Sequence, residues 1–443
     1  MVERNFNWNQ ESHNSTEIPT CLPTEPTPIQ ILNTTIVSED LRDGLHGSEK
    51  YPTCREMLPY VEALSELGID RMTVGIYPGD SRRVDSTIQE LLGELDKNFP
   101  HITPIVLCLA NPNSLKWTLK CKEINPNLQA LVFMGSSPVR RLVQNWSMDF
   151  ILNQMGNTIK EATRDGLTVI GATEHTTQTP PNDLEDIIKT QMDNGATGFC
   201  IADTVGIARP VGAYRITDFV KKTLDKNGYS DTPIEWHGHR DLGNDLQNAL
   251  MSISAGATRV HTVARGVGER AGNTSLEGIL LNFKAILKDH DVGMPWKVGN
   301  LIQTLKIYED IVDIQTPNHG PLGVRHSHTS LGIHADALEK THMLADQARL
   351  EGNEELALIY EEMAQTIYSA VDTTQFGGKL ESGIGPWSSK RNVSLTLRLF
   401  GVDTENITPP LIENLLNTAR SIGRELSKKE ITAILHNHSS DGF

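Results

Sequence analysis

No stretch of about 18 apolar residues occurs in the 443-residue sequence, and a membrane-crossing helix needs one. The first fifteen residues, MVERNFNWNQESHNS, lack the apolar segment of a secretory signal, so a chain that stays in the cytoplasm is expected. Positive charge is scarce, with 40 Lys and Arg against 56 Asp and Glu and a formal net charge of −16. Nucleic acids and anionic membrane surfaces attract basic faces, so neither is an expected partner. A local group of arginines can still hold a phosphate. Cysteine is sparse and odd in number: Cys21, Cys54, Cys108, Cys121 and Cys200, with no C-x-x-C spacing. Cys108 and Cys200 lie inside apolar runs, which suits core packing in a reducing compartment. No G-x-G-x-x-G follows the first strand candidate, which argues against a dinucleotide-binding doubly wound sheet.

What the chain does have is a rhythm. Short β-branched runs recur at residues 29–37, 70–77, 103–109, 130–136, 167–173, 197–203, 233–239 and 258–264, with helical patterns between them. Several of those helices end at glycine, as at Gly68, Gly166, Gly195 and Gly256. Eight such units in about 260 residues predict an α/β protein of the (β/α)8 TIM-barrel class over residues 29–290. Residues 1–28, rich in Asn, Glu, Thr and Pro, read as a disordered or extended arm. Residues 291–443 lose the β rhythm and predict a helical C-terminal region serving as linker, lid and dimerisation element.

A barrel of this kind carries its functional groups at the C-terminal ends of its strands. The seventh strand candidate ends in EWHGHRDLGND, and a period of two puts His237 and His239 on one side. The first ends in EDLRDGLHG, which brings Asp43 to the same mouth. Two imidazoles and a carboxylate make a three-ligand metal site with positions left for substrate oxygens. Asn273, in the glycine-rich RGVGERAGNTSLE after strand eight, offers a fourth oxygen. The bland alternatives are a hydrogen-bonding histidine pair and a plain turn at R-D-G.

Taken together, LRDG at 41–44, HGHRDLG at 237–243, GVGERAGNTSLE at 266–277 and SLGIHADALEK at 330–340 resemble the 2-isopropylmalate synthase and homocitrate synthase family. The resemblance covers residues 30–345. It implies condensation of acetyl-CoA with a 2-oxo acid, assisted by a divalent metal (Mg, Mn or Zn) on Asp43, His237 and His239, with Asn273 in or near the shell. It implies Arg42 as the group that stabilises the developing oxyanion or enolate, the alternative being a salt bridge to Asp43 or Glu39. His334 matches the family's general base and Glu174 its strand-five glutamate; Thr204 matches the threonine that contacts the oxo acid carboxylate, with Asp203 beside it capping the turn. Gly266, Gly268 and Arg270 fall where coenzyme A would pass, the alternative being a tight structural turn. Because His334 lies beyond the barrel, the resemblance implies a homodimer in which its region crosses between subunits.

The sequence also departs from that family. Thr73 stands where a glutamate is frequent, and Leu45 and His46 where Glu and Gln are common. In the substrate pocket Leu131 stands near a frequent histidine, Ala172 replaces a serine and Ala202 a proline. Val169 and Ile170 occupy the place of an arginine that homocitrate synthases use for a second carboxylate. A second carboxylate would be buried without a partner, at a cost of several kcal/mol. The expected substrate is therefore a bulky apolar 2-oxo acid, 2-oxoisovalerate or phenylpyruvate, the latter as in a benzylmalate synthase-like member. The short C-terminal region also leads us to expect no leucine inhibition through a β-rich domain.

Two rivals stand beside this reading. A lyase like 3-hydroxy-3-methylglutaryl-CoA lyase would need a cysteine in a glycine-rich loop after the strands, and the last cysteine is Cys200. A biotin-dependent carboxyltransferase would need a metal-bridging lysine motif, which is not evident. From a different class, an inactive metal-binding relative would be expected to have lost some of the residues named above.

Overall fold

The computed structural model describes residues 6–9, 24–46, 48, 50–403 and 406–440. Cys21 and most of the N-terminal arm lie outside the described residues. Two compact units divide the chain: residues 1–297 with 304–314, and residues 298–303 with 315–443.

The first unit is a closed parallel barrel. Its strands are β1 (Thr35–Ser38), β2 (Arg71–Ile76), β3 (Thr103–Leu109), β4 (Gln129–Phe133), β5 (Thr168–Thr173), β6 (Gly198–Asp203), β7 (Ile234–Gly238) and β8 (Arg259–Thr262). β8 returns to β1 in register, Thr35 opposite Arg259 and Ser38 opposite Thr262, which closes the ring. The helices are α1 (Pro28–Leu32), α2 (Cys54–Leu67), α3 (Arg82–Asn98), α4 (Pro112–Ile124), α5 (Pro138–Gln144), α6 (Met148–Arg164), α7 (Pro181–Asp193), α8 (Pro210–Lys226), α9 (Asp245–Ser254) and α10 (Leu276–Asp289). The first strand begins later than the sequence pattern predicts, because Pro28–Leu32 winds into α1. Thr27 and Gln30 form a capping box there, with Pro28 at the first helical position.

Local chemistry sets the helix ends. In α2, Thr53 and Glu56 cap each other's backbone, and Gly68 closes the helix at φ +89°. In α4, the Asn111 side chain accepts from the Ser114 amide ahead of Pro112.

The barrel interior divides by chemistry. β3 to β6, with Val37 of β1, contribute an apolar cluster of Val37, Ile105, Leu107, Leu131, Ile170, Ala172 and Cys200, against which Ile76 and Phe133 pack. β7, β8, β2 and the residue after β1 contribute Glu39, Thr73, Glu235, His237 and His261, all buried. Barrel cores are usually filled by Val, Ile and Leu, so half of this interior has been given over to charge.

The second unit is mainly helical: α12 (Gly332–Leu350), α13 (Glu354–Thr366), α14 (Lys390–Leu399), α15 (Pro409–Ile422) and α16 (Lys428–Ser440), with α11 (Leu301–Val312) shared across the division. Two short strands, β9 (His328–Thr329) and β10 (Glu381–Ser382), pair in parallel. Ile384, Val393, Leu397, Leu411, Leu415 and Leu416 form its main core. α12 and α13 leave Ile333, Met343, Leu344, Leu350, Leu358, Ile359 and Met363 exposed.

Candidate active site

The mouth of the barrel opens into a cavity of 220 Å³. Its polar wall holds Glu39, Arg42, Asp43, His237, His239 and His261; its apolar wall holds Ile76, Leu107, Leu131, Phe133, Ala172 and Cys200.

Strand period places the histidines. His237 ends the inward face of β7 and His239 follows one pleat later. Their rings meet edge to face, centroids 5.1 Å apart. The Nε2 atoms of both lie 3.9 Å from the same Asp43 oxygen, Oδ2, and the ligand atoms of all three residues fall within 4.8 Å of one another. The backbone carbonyl of Gly272 lies 3.2 Å from His239 Nδ1. It accepts the Nδ1 proton, which leaves Nε2 with its lone pair toward Asp43.

Electrostatics favour a cation. Burial lowers His237 to about 3, with His239 and Arg42 adding to the effect and Glu39 opposing it. His239 is lowered as well, by burial first. Both imidazoles are therefore neutral and able to ligate. Burial works against the charge of Asp43, but the Arg42 guanidinium, helped by the Asn273 amide, overcomes it and holds the carboxyl well below the usual carboxylate range. Two neutral imidazoles and a carboxylate are a donor set suited to a divalent ion; the other ring nitrogen of His237, Nδ1, is buried on the Glu39 side, 3.9 Å from Oε1.

Arg42 bridges two acids, Nη1 to Asp43 Oδ2 at 2.6 Å and Nη2 to Glu39 Oε2 at 2.9 Å. The salt-bridge reading of the sequence is thus present, and it does not remove Arg42 from the cavity wall, where its Nε is buried without a hydrogen-bond partner. Asn273 is placed otherwise than as an oxygen ligand. Its Nδ2 donates to Asp43 Oδ1 at 2.9 Å and to the Val267 carbonyl at 3.1 Å, so the amide steadies the carboxylate through its nitrogen.

The loop after β8 folds over Asp43. The Glu269 amide donates to Asp43 Oδ1 at 3.1 Å. A Cβ on Gly268, at φ +136°, would come within 2.2 Å of Asn273 Nδ2 and 2.7 Å of Asp43 Oδ1, and one on Gly272 within 1.9 Å of the Gly266 carbonyl. These glycines serve the close approach of the loop to itself and to Asp43. Arg270 forks onto Asp241 at 3.0 and 3.1 Å and donates to the Thr204 carbonyl at 2.6 Å. Arg265 is buried against Glu309 at 2.7 Å.

Glu174 leaves β5 at the rim, 3.3 Å from Arg140 Nε and 3.7 Å from His175 Nε2. Thr204 accepts from the His175 amide at 2.9 Å and lines the cavity with Ala202. Asp203 caps its own turn, accepting from the Ile207 and Ala208 amides and from Thr177; burial pushes its carboxyl up to about 6. His334 sits in the second unit, near the start of α12, stacked on Tyr368 at 4.0 Å.

Sequence reading missed a buried relay next to the candidate metal cluster. Glu39 Oε1 lies 2.7 Å from His261 Nδ1, and His261 Nε2 lies 2.9 Å from Glu235 Oε2. Glu235 Oε1 takes Arg259 at 2.6 Å, and Thr73 donates to Glu39 at 3.0 Å. Burial opposes every charge here. The hydrogen bonds that His261 donates to Glu235 and Glu39 nevertheless raise it to about 9. Arg42 and His261 hold Glu39 at about 2, and His261 and Arg259 do the same for Glu235. A signal was present: Glu235, His237 and His239 share one strand face, as do Arg259 and His261.

The sequence profile of the HMGL-like family matches residues 33–306. A probable 2-isopropylmalate synthase of Methanopyrus kandleri is 27% identical over 320 residues, 71% of this chain and 59% of that protein. A homocitrate synthase of Methanocaldococcus jannaschii is 29% identical over 308 residues, 68% of this chain and 71% of that protein. The chain thus spans less than two thirds of the length of the first of these. Among solved structures, the hydroxymethylglutaryl-CoA lyase of Pseudomonas aeruginosa covers 64% of this chain with a TM-score of 0.53 at 16% identity, a likeness of fold.

Proposed function

The chain belongs to the HMGL-like family, and from that premise we propose that it is an acyltransferase condensing acetyl-CoA with a bulky apolar 2-oxo acid to a 2-substituted malate and free coenzyme A. The observation that carries the reading is the two-sided cavity: a cation-ready cluster on one wall and hydrocarbon on the other. A 2-oxo acid with an isopropyl or benzyl side chain has the same division, a chelating oxo-carboxylate end and an apolar body. The named activities of the relatives, isopropylmalate and homocitrate synthesis, support the reaction class. Among the described residues the arginines that line the cavity are Arg42 and Arg270, each already paired with a carboxylate, which argues against a second substrate carboxylate.

Asp43, His237 and His239 would hold the divalent ion, which supplies Lewis acidity toward the keto oxygen when bound. Arg42 faces the same end of the cavity and compensates negative charge developing on substrate oxygens. Thr204, at the rim, takes the carboxylate. The acetyl methyl gives its proton to His334, with Glu174 orienting the group or a water. The carbon–carbon bond forms at the keto carbon, the keto oxygen gains a proton, and water cleaves the thioester. Coenzyme A would pass along the Gly266–Gly268–Arg270 loop. We propose that His334 reaches the mouth from a second copy, and the exposed apolar side chains of α12 and α13 suit a homodimer interface.

The test is release of free thiol from acetyl-CoA with Mg²⁺, Mn²⁺ or Zn²⁺ and a panel of 2-oxo acids. Phenylpyruvate or 2-oxoisovalerate should lead the panel; pyruvate or 2-oxoglutarate as best substrate by a wide margin would remove the apolar-pocket reading.

A further inference from the structure

Four residues before the family-matched span, in the stretch read from sequence as a disordered or extended arm, are docked onto the barrel. Trp8 is buried, packed on Phe219 of α8 at 5.1 Å and on Phe6 at 4.9 Å. Its indole donates to the Thr179 carbonyl at 3.2 Å, and the Phe6 amide donates to the Gln178 carbonyl at 3.3 Å. Asn9 clasps the turn before α8 with both ends of its side chain. Oδ1 accepts from the Arg209 amide at 2.7 Å and Nδ2 donates to the Ile207 carbonyl at 3.1 Å. Arg215 of α8 donates back to the Asn9 carbonyl at 3.0 Å.

Besides α8, the contacts fall on two loops, those following β5 and β6, and these deliver Glu174 and Thr204 to the cavity. The Thr204 turn has no helix or strand of its own and is held from three directions. Asp203 binds its far amides from inside, Arg270 binds the Thr204 carbonyl across the mouth, and Asn9 binds Ile207 and Arg209 from outside. Helix α8 is cut to receive the clasp. A Cβ on Gly212 would lie 2.3 Å from Asn9 Oδ1, and its three nearest atoms all belong to Asn9.

We propose that Phe6–Asn9 is a latch, and that Asn9 and Trp8 are positioning residues which fix the Thr204 turn for the carboxylate of the 2-oxo acid. The inference rests on the function proposed above. It assigns a task to a segment outside the residues that match the family.

The test uses the full chain and three variants: Asn9→Ala, Gly212→Ala and the two combined. Gly212→Ala removes no contact and favours a helix, so it acts by evicting Asn9. Each single variant should raise KM for phenylpyruvate or 2-oxoisovalerate about tenfold, with kcat and the KM for acetyl-CoA within about twofold. The double variant should be no worse than either single, because both break one interaction. Amide hydrogen exchange at 207–209 should quicken about tenfold in all three. In an active wild type, an unchanged KM for the oxo acid, or single effects that multiply in the double, overturns the latch alone. A wild type that turns over no 2-oxo acid overturns the proposed function and the latch's catalytic task with it; quickened exchange would then leave a purely structural clasp.

Discussion

At the scale of residues, the unusual feature is a charged barrel interior. Glu39 neutralises Arg42 and His261 at once. Removing one partner of a buried ion pair leaves an uncompensated charge, so Glu39→Gln should lower unfolding free energy by about 3–5 kcal/mol in a denaturant titration. The same relay predicts a pH response. His261 binds its proton more tightly folded than unfolded, so its contribution to stability is full below the ordinary imidazole value of 6.5 and is lost as pH rises through about 9. Glu39 and Glu235 act in the opposite sense, contributing above 4.5 and losing that contribution as pH falls through about 2. The melting temperature should therefore decline between pH 6.5 and 9, and Glu235→Gln should flatten that decline. On the opposite wall, Ala172→Phe fills hydrocarbon space. It should reduce kcat/KM for phenylpyruvate at least about tenfold more than for pyruvate, the scale a shape change in an apolar pocket sets.

At the scale of elements, the barrel was legible because each β/α unit repeats the same signals: β-branched run, amphipathic helix, closing glycine. Seven of the eight strands lie where the alternation puts them. The eighth, β1, is shortened because Pro28 and the Thr27 cap favour a helical turn that a run of apolar residues concealed. Strand period put His237 and His239 on one side, and the place of Asp43 just after the first strand brought it to the same mouth, where the structure has the three together. Strand period also puts His261 on one face with Arg259, but its pairing with Glu39 was not legible, because the two come from opposite ends of the barrel sequence and meet only when the ring closes. The glycines of the β8 loop were read as room for a ligand or as a tight structural turn, and Gly268 has Asp43 as a near neighbour. Gly268→Ala should accordingly push the Asp43–Asn273 pair apart and weaken divalent metal binding about 10–100-fold, measured by calorimetric titration of the metal-free protein.

At the scale of the whole molecule, two compact units carry parts of one proposed reaction: the barrel holds the candidate metal cluster and the cavity, the helical unit holds His334. If a second copy supplies that histidine, mixing His334→Ala with His237→Ala protein should restore activity that neither shows alone; no restoration after subunit exchange would place His334 in the same chain. The central claim is chemical and can be read from a product. Carbon-13-labelled acetyl-CoA, remetallated protein and phenylpyruvate or 2-oxoisovalerate would be incubated and the acids identified by mass spectrometry. A 2-substituted malate carrying both labelled carbons, absent with His237→Ala, is the expected outcome. Label recovered only in acetyl-CoA or acetate, with every 2-oxo acid tried, would contradict it.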